Sequence, residues 1–155
     1  MEKRNKKELA VAALENGTVI DHIPSESLFK VVDLLDLKSL KVSVTIGFNL
    51  DSAMMGKKSI IKIADTFYPE DILNRIALIA PHAVINTIKD YDVVDKHPVT
   101  LPEELIDIVK CSNPKCISNN EPMRTHFHVI ENKNEVLLRC HHCECTINQK
   151  EVLLK

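Results

Sequence analysis

Two cysteine pairs in the last third constrain this chain more than any other feature. Cys111-Ser-Asn-Pro-Lys-Cys116 places four residues between its thiols, and Cys140-His-His-Cys143 places two. The stretch between the pairs, residues 117–139, is long enough for a small antiparallel sheet. A structural Zn²⁺ site takes four sulfur or nitrogen ligands in a tetrahedron, usually from two short loops brought face to face. Cys111, Cys116, Cys140 and Cys143 supply that arrangement with no ligand missing. A four-thiolate shell keeps no position open for water, so it points to folding rather than hydrolysis. Five cysteines serve four places, and Cys145, two residues beyond Cys143, fits a paired loop least well. His141 and His142 sit inside the second loop, which leaves a Cys₃His variant open. Nothing in the chain asks for an oxidising compartment, so a metal ranks above disulfides.

Composition bounds the rest. At 155 residues the chain holds one domain or two small ones. Met1-Glu-Lys-Arg-Asn-Lys-Lys-Glu8 is charged, and Glu15 and Asn16 break the apolar run after it, so the start does not read as a signal peptide. No stretch approaches the roughly 20 apolar residues of a membrane span. A cytoplasmic location is the expectation. The net charge of −2 and the 4% aromatic content argue against a nucleic-acid surface, which needs cations and stacking rings.

Ahead of the cysteines the hydrophobic pattern changes period several times. Residues 8–15 are apolar but too short to assign. Asn16-Gly17 reads as a turn, and residues 18–23 as a β-branched strand stopped by Pro24. Ser25 or Ser27 caps a helix with Leu28, Val31, Val32 and Leu35 on one face. Val42, Val44, Ile46, Phe48 and Leu50 alternate with polar residues, which predicts a strand with one buried face. Residues 51–57 read as a turn, and residues 59–64 as the returning strand. Pro69, Glu70 and Asp71 open a helix carrying Ile72, Leu73, Ile76, Ile79 and Ala80, and residues 83–89 form another strand. Strand, helix, strand, strand, helix, strand is the split βαβ or ferredoxin-like plan, with helices on one side of the sheet. His97-Pro-Val-Thr-Leu-Pro102 reads as a linker. The expectation is an α+β, ferredoxin-like domain over 1–101, followed by a small all-β, zinc-ribbon-like domain over 102–155. The second is too small to hold a core without a staple.

Taken together, the two halves resemble the regulatory chain of bacterial and archaeal aspartate carbamoyltransferase. The carriers are Gly17-Thr-Val-Ile-Asp-His-Ile-Pro24, Thr45-Ile-Gly-Phe-Asn-Leu50 and Gly56-Lys-Lys-Ser-Ile-Ile-Lys-Ile63. Ala80-Pro81, Val84-Ile-Asn86 and Tyr91-Asp-Val-Val94 continue the match. Cys116-Ile-Ser118, Glu121-Pro122 and the cysteine pairs complete it. The resemblance implies a non-catalytic allosteric subunit in pyrimidine biosynthesis. Its first domain would bind CTP and ATP, with UTP a further candidate effector. Val11, Ala12, Ala13 and Leu14 would wall the base, and Asp21 and His22 would face sugar and phosphate. Lys62 would be the main phosphate cation, with Lys58 near the ribose; Asn86, Tyr91, Val93 and Lys96 would complete the pocket. The zinc domain would dock the catalytic chain through Asn113, Lys115 and Glu121, and regulatory chains would pair as homodimers. Lys115 departs from the family, which often has asparagine there, and Ile130-Glu-Asn132 replaces a basic stretch.

The pocket is chemically sensible in its own right. Lysine binds phosphate as a point charge, and Lys58 and Lys62, four apart in a strand, share one face. An enzyme is harder to build. Asp21 and His22 are neighbours on a strand, so their side chains should leave opposite faces and form no dyad. The three glycines are isolated and make no phosphate loop. The alternative function is a zinc-ribbon nucleic-acid-binding module using Lys110, Lys115, Arg124 and Arg139. A thiol redox role for Cys143 and Cys145 ranks below it.

Overall fold

The computed structural model describes residues 14–133 and 135–155. Contacts divide the chain into two compact units, Met1–Thr100 and Leu101–Lys155. Both are built mainly of antiparallel sheet, with few helices. Among the described residues, no helix is long and apolar enough to cross a membrane.

In the first unit, β1 (Gly17–Ile23) is followed by helix α1 (Leu28–Leu34), strands β2 (Val44–Ser52) and β3 (Gly56–Ala64), helix α2 (Glu70–Ile79), and strands β4 (Val84–Lys89) and β5 (Asp92–Pro98). The five strands lie in the order β2-β3-β1-β4-β5. Ile20 pairs with Ile61 on one side and Ile85 on the other, so the three isoleucines share a face. All are at most 2% exposed, as are Ile63 and the helix residues Leu28, Val31, Ile76, Ala77 and Leu78, which form the core with them. Removing such a face from water, at about 25 cal/mol per Å² of apolar area, is the main force holding sheet and helices together.

β1 starts where only glycine fits. Gly17 has φ 145°, and a Cβ there would lie 2.1 Å from the Ile63 carbonyl oxygen. Asn16 and Gly17 are therefore not a hairpin turn. The Asn16 carbonyl accepts from Asp65 N–H at 2.9 Å, and its side-chain oxygen accepts from Asp90 N–H at 3.2 Å. The segment is pinned against the ends of two neighbouring strands.

Four expectations need correcting. β2 has no buried face: Ile46 and Phe48 are 43% and 50% exposed. It is an edge strand, and a bulge between Gly47 and Leu50, with Asn49 at φ 61°, breaks the alternation. Residues 92–98 form a fifth strand, which takes His97 and Pro98 out of the expected linker. Its pairing with β4 is bulged around Val94, which masks any period-two pattern. Ser27 precedes α1 but makes no side-chain cap, while the Ser25 hydroxyl meets Ser59 Oγ at 3.2 Å. Asp51 and Ser52 remain in β2 and Gly56 opens β3, which shortens the turn to residues 53–55.

The second unit has a four-stranded antiparallel sheet in the order β10-β9-β8-β6. These are β6 (Glu104–Ile106), β8 (His126–Asn132), β9 (Glu135–Cys140) and β10 (Thr146–Asn148). A separate pair joins β7 (Val109–Lys110) to β11 (Leu153–Leu154), and α3 (Ile117–Asn120) is a single turn. Among the described residues of this unit, the fully buried large side chains are Phe127, Leu105, Leu138 and Val109. Three cysteines complete that small core.

Candidate metal centre and effector face

Cys111 follows β7, Cys116 precedes α3, Cys140 ends β9 and Cys143 lies in the turn after it. Their four sulfurs come within 4.8 Å of one another, with Cys111, Cys116 and Cys140 buried and Cys143 half-buried. Cys111 and Cys143 are 3.6 Å apart at sulfur, and Cys116 and Cys140 are 3.7 Å apart. Ligands about 2.3 Å from a tetrahedral Zn²⁺ stand about 3.8 Å from each other. A disulfide would need about 2.05 Å. The thiols therefore stand at ion spacing, and all five cysteines are free.

Backbone and carboxamide groups hold the two loops in shape. Cys116 N–H donates to the Asn113 carbonyl at 3.0 Å, and Cys140 N–H to the Cys145 carbonyl at 2.9 Å. The Asn119 side chain donates to the carbonyls of Cys111, at 3.0 Å, and Asn113, at 2.7 Å. Asn120 does the same for Pro114, at 3.0 Å, and Cys116, at 2.8 Å. Burial pushes the Cys111 thiol well above the usual range and raises that of Cys140. Cys143 goes the other way, to about 6. Desolvation opposes the change, but hydrogen bonds from the Cys145 backbone and the Asn113 side chain outweigh it. Cys145 stays outside the four-sulfur group, and a hydrogen bond with Cys143 helps it keep its proton.

In the first unit the informative feature is a cross-strand row. Lys62 on β3 is opposite Val19 on β1, Val19 is opposite Asn86 on β4, and Asn86 is opposite Lys96 on β5. Partners directly across an antiparallel ladder project to the same face. This face is opposite the one occupied by Ile20, Ile61 and Ile85. Lys58 shares it and forms an ion pair with Asp21 at 2.9 Å, both side chains about one-fifth exposed.

His22 overturns the expectation for its pair with Asp21. Its φ of 59° and the bulge between Ile20 and Ile23 break the strand alternation. The imidazole Nδ1 consequently lies 3.6 Å from Asp21 Oδ2, and His22 N–H donates to Asp21 Oδ1 at 2.6 Å. The two side chains do not leave opposite faces.

The two units also match two known domains in the same order. Residues 9–100 match the allosteric domain of the aspartate carbamoyltransferase regulatory chain, and residues 103–153 match its metal binding domain. The regulatory chain of Parabacteroides distasonis is 56% identical over 155 residues, covering all of both chains. That of Bacteroides fragilis is 56% identical over 150 residues, and that of Vibrio vulnificus 43% over 152, each covering 97% or more of both chains. The chain belongs to the aspartate carbamoyltransferase regulatory-chain family. It is a non-catalytic subunit of an enzyme of pyrimidine biosynthesis.

Within this regulatory chain, the expected residues are distributed as follows. Asp21, His22, Lys58, Lys62, Asn86 and Lys96 come from four adjacent strands. Tyr91, at φ 67°, sits in the β4–β5 turn, where its N–H donates to the Glu15 carbonyl at 2.9 Å; Val93 pairs with Ile88. Tyr91 and Val93 are exposed, at 63% and 57%. Leu14 is half-buried, whereas Val11, Ala12 and Ala13 lie outside the described residues. Asn113 is half-buried, and Lys115 and Glu121 are exposed around the first cysteine loop. Sequence reasoning overlooked Asn119 and Asn120. Their signal is an Asn-Asn pair within one turn of Cys116, close enough for short amide side chains to reach back to the loop carbonyls.

Proposed function

We propose that the first unit binds CTP and ATP on its helix-free sheet face, and that the second docks the catalytic chain of aspartate carbamoyltransferase around a structural Zn²⁺. UTP is a third candidate effector for the same pocket. The observation that carries the reading is the row Lys62–Val19–Asn86–Lys96. It sets two ammonium groups and a carboxamide around an apolar floor, a composition suited to a triphosphate and a base. Asp21, His22 and Lys58 would stand beside the sugar, with Leu14, Tyr91 and Val93 at the rim.

The strand order supports a ferredoxin-like description of the first domain, taken as 1–101, with β5 as an addition. Two short cysteine loops on a small sheet support a zinc-ribbon-like second domain, taken as 102–155. Asn113, Lys115 and Glu121 would contribute to the docking surface. A homodimer would form over the exposed edge at β2, where Phe29 and Phe48 have ring centroids 5.7 Å apart and Ile46 lies alongside. Edge strands with exposed apolar residues favour pairing with another chain. The location would be cytoplasmic, without nucleic-acid or membrane partners.

Allostery of this kind requires a coupling of about 1–3 kcal/mol between effector and active sites. Calorimetric titration of the zinc-loaded chain with CTP, then ATP, tests the binding part. Saturable, mutually competitive binding that weakens about tenfold or more in Lys62→Ala is expected, a loss of about 1.4 kcal/mol. A folded chain that binds neither nucleotide would overturn it. Reconstitution with the catalytic chain tests the rest: activity unchanged at saturating CTP and ATP would remove the allosteric claim.

A further inference from the structure

The second unit carries another cluster that neither the four-cysteine centre nor docking explains. Along β8, Phe127 is fully buried beside its partners Leu105 and Cys140. The alternate residues His126 and His128 project to the other side of the sheet. His141 follows Cys140, and its N–H donates to the His126 carbonyl at 2.8 Å, which extends the same ladder by one residue. Three imidazoles therefore collect on the face away from the cysteines.

We propose that His126, His128 and His141 form a second metal site for a borderline divalent ion of the Zn²⁺ or Ni²⁺ kind. One nitrogen from each ring lies within 4.8 Å of the other two. His128 Nε2 and His141 Nδ1 are 3.0 Å apart, and the ring centroids are separated by 4.5, 4.8 and 5.2 Å. Imidazoles bound to one tetrahedral ion at about 2.0–2.1 Å have nitrogens about 3.3 Å and centroids about 5 Å apart. The cluster needs only small side-chain rotations to reach that shape.

Two further groups fit the same purpose. His126 Nε2 is buried and makes no hydrogen bond, with only the Glu104 carboxylate at ion-pair distance, so a metal bond would offset its desolvation. Glu104, on β6, places Oε1 3.5 Å from His128 Nδ1 and 3.4 Å from His126 Nε2. With His128 ligating through Nε2, its Nδ1–H faces that carboxylate, the usual outer support of a metal-bound histidine. Glu104 and Arg139 flank His128 from opposite sides of the same row, so the carboxylate supplies negative charge on the β6 side of the cluster. Imidazole donors suit Zn²⁺, Cu²⁺ and Ni²⁺, whereas Ca²⁺ and Mg²⁺ prefer oxygen. Three histidines leave a coordination position for water or for a group from a partner.

The test uses the full-length chain with its cysteine centre already filled by one equivalent of Zn²⁺. Equilibrium dialysis against further Zn²⁺, and separately Ni²⁺, is followed by elemental analysis of metal per chain. A second equivalent is expected in the wild type. His128→Gln and, independently, His141→Gln should weaken it by more than about 100-fold, beyond the cost of losing an outer-shell partner. Glu104→Gln should weaken it by about 10- to 100-fold. The first equivalent should remain in every variant, which shows that the unit is still folded. A single equivalent in the wild type would overturn the proposal, as would a second equivalent that survives in both histidine variants. Shifts of the three imidazole ¹⁵N resonances on adding Zn²⁺ locate the ion; unmoved resonances alongside a bound second equivalent also overturn it.

Discussion

The two units solve the same problem with different materials. The first buries a continuous isoleucine face under two helices, so its strands, helices and core support one another. The second has, among its described residues, four large fully buried side chains and hands the remaining work to four sulfurs. A small sheet cannot remove enough apolar surface from water to offset its chain entropy, so a metal must supply the difference. The comparison teaches that one chain can contain a self-sufficient fold and a conditional one.

Chelating the metal, or changing Cys140→Ser, gives the sharpest separation between them. Structural zinc contributes about 10–16 kcal/mol of apparent free energy to small domains, so the second unit should unfold. The first should keep its cooperative transition, read by circular dichroism and amide hydrogen exchange. Simultaneous loss of both would break the comparison. Acid should approach the same result gradually. Each thiol must lose its proton to bind metal, and burial favours the protonated form of Cys111 and Cys140. Falling pH therefore favours the protonated, metal-free form, and a zinc-release titration should show affinity declining steadily as acid is added.

Ile61→Ala attacks the first unit instead, with an expected cost of about 2–5 kcal/mol in its unfolding free energy, read from its denaturation curve, and unchanged zinc content. Gly17→Ala should cost roughly 1–3 kcal/mol, because the added methyl meets the Ile63 carbonyl at a backbone angle that alanine disfavours. The smallest effect belongs to Asp21 and Lys58. A double-mutant cycle on stability should give a coupling of about 1 kcal/mol or less, as expected for a partly solvated ion pair. A much larger value would mean that this pair is structural and unlike a solvent-facing binding surface.

The sequence was most informative where geometry follows local rules. Cysteine spacing anticipated the four-sulfur cluster because the loops are short and close on themselves. The alternation in residues 59–64 and the Pro69-Glu-Asp start before α2 likewise marked their elements. Lys58 and Lys62 fell on one face because β3 is regular. The failures cluster at bulges. His22, Asn49 and the region around Val94 each interrupt a strand, and one inserted residue reverses every later inside–outside assignment. β2 looked buried because alternation reveals a chemically distinct face without saying what covers it. The histidine trio was invisible for another reason: His141 joins His126 and His128 only through the pairing of β8 and β9.

The carboxamide bonds of the first cysteine loop bear on how this chain can evolve. Asn119 and Asn120 grip the loop through the carbonyls of Cys111, Asn113, Pro114 and Cys116, which every amino acid provides. Lys115 enters that network through its backbone N–H, donated to Asn113 Oδ1 at 3.0 Å. Its outward side chain can therefore change without disturbing the loop. Shape and surface are encoded by different positions, so the chemistry of this patch can be rewritten while the sulfurs keep their places.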